Sequence, residues 1–125
     1  MVWPCSCLLD MGVAMVLPEE GSLLRIFIGE SDKCDSQPLY VWLVRRAKEM
    51  EVAGATVLRG IMGYGRHSRV HTAKILRLSQ DLPIVVELVD TREKLERYLK
   101  DIEPSIRDGL ATIEKAEVRF YRGGE

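Results

Sequence analysis

This sequence predicts an α+β fold, an antiparallel sheet carrying two helices on one face, and three observations predict it. Residues 22–29 (SLLRIFIG) and 82–89 (LPIVVELV) are short apolar runs rich in β-branched residues, with apolar groups on both faces, as central strands have. Residues 38–50 and 91–106 instead repeat their apolar residues at helical spacing. With further strand candidates at 55–61 and 110–121, the order becomes strand, helix, strand, strand, helix, strand. That order is the ferredoxin-like βαββαβ arrangement.

Taken in order, residues 1–17 are mildly apolar but lack a basic leader and are interrupted by Pro4, Asp10 and Gly12, so neither a signal peptide nor a membrane span fits. The break at 18–21 (PEEG) predicts a flexible extension over 1–21 and a folded domain over 22–122. In the first strand Leu24, Ile26 and Ile28 alternate with Leu23, Arg25 and Phe27. Residues 29–37 (GESDKCDSQ) are turn chemistry, and Pro38 is expected in the first turn of a helix reaching about Met50. Its apolar stripe is Leu39, Leu43, Ala47 and Met50, while Arg45, Arg46, Lys48 and Glu49 face water. In the second strand Ala55, Val57 and Ile61 alternate with Thr56, Leu58 and Gly60, and Gly63 and Gly65 mark the end of pairing. Residues 73–79 suit either a short strand or a helical turn. After the strand at 82–89, Asp90 and Glu93 read as a capping box before the stripe Leu95, Tyr98, Leu99, Ile102 and Ile106, and Pro104 kinks or ends that helix. A turn at 107–109 leads to the last strand, in which Ala116, Val118 and Phe120 alternate with Glu117, Arg119 and Tyr121. Two helices on one face cannot bury Leu23, Phe27, Val85 and Val89, so association through the sheet is expected.

Composition excludes several classes. With 46% hydrophobic and 30% charged residues, the 125-residue chain fits one soluble globular domain. A net charge of −1 argues against nucleic acid bound by the whole surface. Three cysteines, two of them at Cys5 and Cys7, do not make a disulfide framework and point to the reducing cytoplasm. No further Cys or His near Cys5 and Cys7 completes a metal set.

The charge is nevertheless segregated. Residues 52–80 contain Arg59, Arg66, Arg69, Lys74 and Arg77, both histidines and no acid, for a formal +5, while the rest of the chain has 13 Lys/Arg against 19 Asp/Glu. Such a segment attracts a phosphate, a nucleotide or an acidic partner; a solvated loop whose arginines pair elsewhere is the plain alternative. Gly63 and Gly65 serve a strand end whatever binds there. Combined with Arg66, Arg69 and the Arg107-Asp108-Gly109 turn, they offer the backbone amides and guanidinium forks that phosphate recognition uses. His67 and His71 are four apart, but their positive neighbours and the lack of a carboxylate argue against a metal. The RIFIG run at 25–29 looks like the first-strand signature of RNA-recognition modules, yet residues 82–89 lack the companion aromatics. No nucleophile with a base and no carboxylate pair suggests catalysis.

The segments LRIFIGES (24–31), GATVLRGIMGYG (54–65), HTAKILRL (71–78) and DLPIVVELVD (81–90) resemble the PII-like family called domain of unknown function 190, over essentially residues 22–121. More distantly the plan is similar to the nitrogen-regulatory PII signalling proteins, trimers with adenine nucleotides in clefts between subunits. The resemblance implies that Gly63, Tyr64, Gly65 and Arg66 form the base of the PII loop, near nucleotide phosphates. It places Arg107, Asp108 and Gly109 at the phosphate-gripping turn, with Leu110 where PII proteins carry lysine. Arg119 matches the first arginine of the PII Arg-x-Arg, and Tyr121 stands at the second.

The resulting expectation is a non-enzymatic regulatory protein, a homotrimer that needs no cofactor and takes an adenine nucleotide or another small anion as effector. His67, Arg69, His71 and Lys74 are assigned to a loop that docks on a partner. The competing reading is an interaction protein that docks, for example on a membrane transporter, without any nucleotide. Neither nucleic acid nor direct membrane insertion is expected.

Overall fold

Alternation decides the first strand: Leu24, Ile26 and Ile28 lie on one side of β1 (Glu20–Gly29) and are buried, while Leu23, Arg25 and Phe27 lie on the other and are half-buried. The computed structural model describes residues 20–65, 71–72 and 81–124. After β1 come a hairpin of β2 (Lys33–Cys34) and β3 (Gln37–Pro38), α1 (Leu39–Glu49) and β4 (Gly54–Arg59). A small ladder of β5 (Met62–Gly63) with β6 (His71–Thr72) follows, then β7 (Pro83–Asp90), α2 (Arg92–Ile102), a 3-10 turn at Glu103–Ser105 and β8 (Leu110–Glu117).

The main sheet has the order β4-β7-β1-β8 with every neighbouring pair antiparallel. β1 and β4 are joined through α1 with β7 inserted between them, and β7 and β8 are joined through α2 with β1 inserted. This is the expected ferredoxin-like topology. Leu39, Leu43 and Ala47 of α1 and Leu95, Tyr98 and Ile102 of α2 close one core with Leu24, Ile26, Ile84, Val86 and Leu88. The Tyr98 hydroxyl donates to the Leu43 carbonyl at 2.8 Å, so its polar end is satisfied inside that core. Arg46 adds a two-pronged bond to Asp101 at 2.6 and 3.1 Å on the outer side of the helix pair.

Several boundaries differ from the apolar pattern, each for a backbone reason. β1 starts at Glu20 rather than Ser22, because its ladder with β8 continues through Gly21–Ala116 and Glu20–Glu117 without needing apolar side chains. β8 stops at Glu117 where that ladder stops, so residues 118–121 leave the sheet and Phe120 is exposed. Pro38 caps α1 instead of entering it, since it pairs with Lys33 across a two-residue turn whose Asp35 and Ser36 have φ of 52° and 66°. The cap of α2 is Thr91, whose Oγ1 accepts from the Lys94 N–H at 3.2 Å. Asp90 is no cap; its carboxylate is buried and accepts from the Ala53 N–H at 2.8 Å and the Thr91 N–H at 2.6 Å. It pins the entry of β4 to the end of β7. The segments 1–17 and 73–79 lie outside the described residues.

Candidate functional site

The second strand ends earlier than its alternation suggests, and the reason builds the site. At Gly60 the N–H donates to the Pro83 carbonyl at 2.7 Å, and a Cβ there would come within 2.8 Å of the Pro83 ring. Only glycine lets the chain turn so closely over β7. The turn carries Ile61, Met62 and Tyr64 outward; Ile61 is 79% and Tyr64 74% exposed, although both are large and apolar in body. Gly63 then pairs with His71, so β5 and β6 close the base of the loop. Arg66, His67, Arg69 and Lys74 lie outside the described residues, and of His71 only the strand pairing is described.

Across the sheet, the Arg107-Asp108-Gly109 turn precedes β8 at the same end of the sheet, since Leu110 pairs with Phe27 and Arg59 with Ile84. Gly109 packs against β1: a Cβ there would sit 2.8 Å from the Phe27 carbonyl oxygen and 3.0 Å from Ile106. Its glycine is therefore required by packing, whatever binds at the turn. Three strand spacings separate β4 from β8, about 14 Å, so the loop base and the turn of one chain do not touch. They occupy opposite edges of one sheet end.

Acidic side chains missed by the charge count lie between them. Glu30 pairs with Arg59 at 2.6 Å, taking up one of the five positive charges of the basic segment. The Asp81 Oδ1 accepts from both the N–H and the hydroxyl of Ser31, at 2.9 and 2.7 Å. Asp32 accepts from the Gly29 N–H at 3.1 Å; burial first, then the nearby Asp81 and Asp108, push its carboxyl above the ordinary range. An anion approaching Arg107 thus meets carboxylates as well. The signal for these acids was present in the GES at 29–31 and in Asp81, the ends of both central strands, but only pairing brings them side by side.

Arg119 is not brought to this end. It follows β8, so the length of that strand, roughly 25 Å, separates it from Gly109 in the same chain. There it is exposed, 3.9 Å from Glu117. The segment after β8 crosses the far end of the sheet, where the Tyr121 hydroxyl donates to the Ala53 carbonyl at 3.0 Å and Arg122 stacks on Phe120 at 4.5 Å. Burial, and then Asp90, push the Tyr121 phenol up to about 12. Among the described residues no group of three or more His, Cys, Asp or Glu is placed to hold a metal, and no helix is long and apolar enough to cross a membrane.

The profile of the DUF190 family, described as "Uncharacterized ACR", matches residues 21–118, which is most of the chain and all four strands of the main sheet bar one residue at the start of β1. The chain belongs to the DUF190 family. Two relatives bear the same kind of name: a "UPF0166 protein" of Aquifex aeolicus is 43% identical over 98 residues, 78% of this chain and 92% of its own length. A second, from Methanocaldococcus jannaschii, is 34% identical over 105 residues, 83% and 94%. Among solved structures this DUF190 chain is similar to CPII, a nitrogen regulatory PII-like protein from Thiomonas intermedia K12, bound to ADP, AMP and bicarbonate. The TM-score is 0.61 at 17% identity, over 84% of this chain and 92% of that one. At that identity the likeness establishes the PII-like fold.

Proposed function

We propose that this DUF190 protein is a regulatory binding module of the PII kind rather than an enzyme, working in the cytoplasm as a homotrimer. It takes up a small anion, an adenine nucleotide first of all, between neighbouring copies and reports it through the basic loop. The observation that carries the reading is the placement of the loop base and the Arg107–Gly109 turn at one end of the sheet but on its two opposite edges. Copies set edge to edge bring the loop base of one beside the turn of the next. Gly63, Tyr64, Gly65 and Arg66 would then face Arg107, Asp108 and Gly109 across a cleft, whereas Arg119 reaches it only from another copy. The solved PII-like relative with ADP and AMP supports the choice of nucleotide as first ligand to try.

Leu110 removes a cation from the cleft and the carboxylates at this end add repulsion, so affinity is modest and depends on Arg66. A charged hydrogen bond contributes about 1.5 to 3 kcal/mol, so Arg66→Ala weakens binding roughly tenfold or more. Calorimetric titration of wild type and Arg66→Ala with ATP, ADP, AMP and cyclic AMP at fixed salt tests this. Absence of heat with every nucleotide would favour the second reading, docking on a protein partner without a nucleotide. The outward Ile61, Met62 and Tyr64 favour that reading specifically, because an exposed apolar turn beside a basic loop suits a protein surface. In either case His67, Arg69, His71 and Lys74 belong to the docking loop.

A further inference from the structure

The face of the sheet turned away from the helices is ordered in rows. Leu58, Val85, Phe27 and Leu110 stand opposite one another across all four strands and form one apolar row. The next row is polar: Thr56, Glu87, Arg25 and Thr112. Arg25 donates from Nε to Glu87 at 3.0 Å and reaches Glu114, one row further, from Nη1 at 3.5 Å. Each chain thus places one guanidinium between two carboxylates at the centre of a face that is otherwise largely apolar. Glu114, the looser of the two partners, is 60% exposed.

We infer that this charged band is the registration element of an interface between copies of the chain, fixing how their helix-free faces meet. The inference rests on the oligomeric reading above and deepens it. Two features of the face select a second copy as the occupant. The apolar row remains exposed at both of its ends, Leu58 by 48% and Leu110 by 58%, so the sheet runs out before its apolar surface does. Since those ends lie on different edges, a neighbour is called for at each, and a contact between unlike edges repeats from copy to copy. The band, in turn, holds both signs of charge. A foreign partner needs a matching set of its own, whereas a second copy supplies one automatically.

An apolar face alone slides; a band of two signs does not. Sliding one face past another by a strand spacing sets carboxylate against carboxylate inside a poorly hydrated interface, and a wrong register is penalised more strongly than an apolar contact can offset. Each band carries one guanidinium and two carboxylates, so copies associate through it only in a register that sets the Arg25 of one copy beside a carboxylate of the next. Within a single chain the same ion pairs are partly exposed and contribute little to folding. Their consequence is in assembly.

Sedimentation of the full chain and of two charge reversals, Arg25→Glu and Glu87→Arg, tests the inference. Wild type is expected to associate at micromolar concentration, and each reversal to raise the dissociation constant roughly a hundredfold while leaving circular dichroism unchanged. Mixing the two reversed proteins is expected to restore association in part, because one band is then strongly negative and the other positive, although a ring of three keeps one contact between like variants. A merely intrachain role would not produce that rescue. Arg25→Gln is the milder substitute should a reversal fail to fold, and it should weaken association in the same direction. Association of Arg25→Glu and Arg25→Gln equal to wild type, or no rescue on mixing, overturns the registration role alone. A wild type that stays monomeric overturns the oligomeric reading with it.

Discussion

Glu51 occupies a position that glycine normally takes. α1 closes with the Val52 N–H on the Ala47 carbonyl and the Glu51 N–H on the Lys48 carbonyl, both 3.0 Å, the paired bonds of a Schellman end. In that motif Glu51 sits in the left-handed region at φ 60°, where a side chain costs free energy. Glu51→Gly removes the strain, offset in part by the greater freedom of glycine in the unfolded chain, and keeps the backbone carbonyl that accepts from Lys94 Nζ at 3.0 Å. Chemical denaturation should show a gain of about 1 kcal/mol. Gly109 is the reverse case, a glycine held by the Phe27 carbonyl at its back. Motif matching assigns it to phosphate, and packing explains it equally well.

Between elements, the contact with a measurable pH signature is Tyr98 of α2 on the Leu43 carbonyl of α1. Burial, and then Asp101, push its phenol far above the ordinary value, against the lowering effect of Arg46. A raised folded pKa means that the stabilisation is complete below the unfolded value of about 10 and is lost as pH rises through the folded one. Melting temperature should therefore fall above pH about 10. Tyr121 titrates in the same direction at about 12, so Tyr98→Phe makes the fall shallower without abolishing it. At neutral pH the same substitution costs about 1 kcal/mol, from the lost hydrogen bond. An unchanged alkaline slope would show that the phenol does not carry the effect.

For the whole molecule, the two helices cover one side of the sheet, and on the proposed reading a second copy completes the other. The rows on its open face make this testable at an edge: Leu58→Glu puts a charge into the exposed end of the apolar row, where the folded chain tolerates it. Sedimentation should show weaker self-association with an unchanged melting curve extrapolated to low concentration. A proportionate loss of nucleotide heat would connect assembly to the cleft, since the loop base and the turn lie on different edges.

Much of this was legible in the residues themselves. The two central strands, both helices and their order follow from periodicity, because alternation of two and spacing of three to four are dictated by backbone geometry alone. The family was legible in RGIMGYG and DLPIVVELVD, and Phe27, Leu23, Val85 and Val89 marked the sheet face that two helices on the opposite side do not cover. Tertiary structure decided what depends on neighbours distant in the chain. It moved Asp90 from helix cap to buried pin, because the Ala53 amide arrives from 37 residues away to claim its carboxylate. It paired Glu30 with Arg59 and set Asp32 near Asp81 and Asp108, and it carried Arg119 to the far end of the sheet. Charge and hydrogen bonding act through space, and only the order β4-β7-β1-β8 determines which residues share that space.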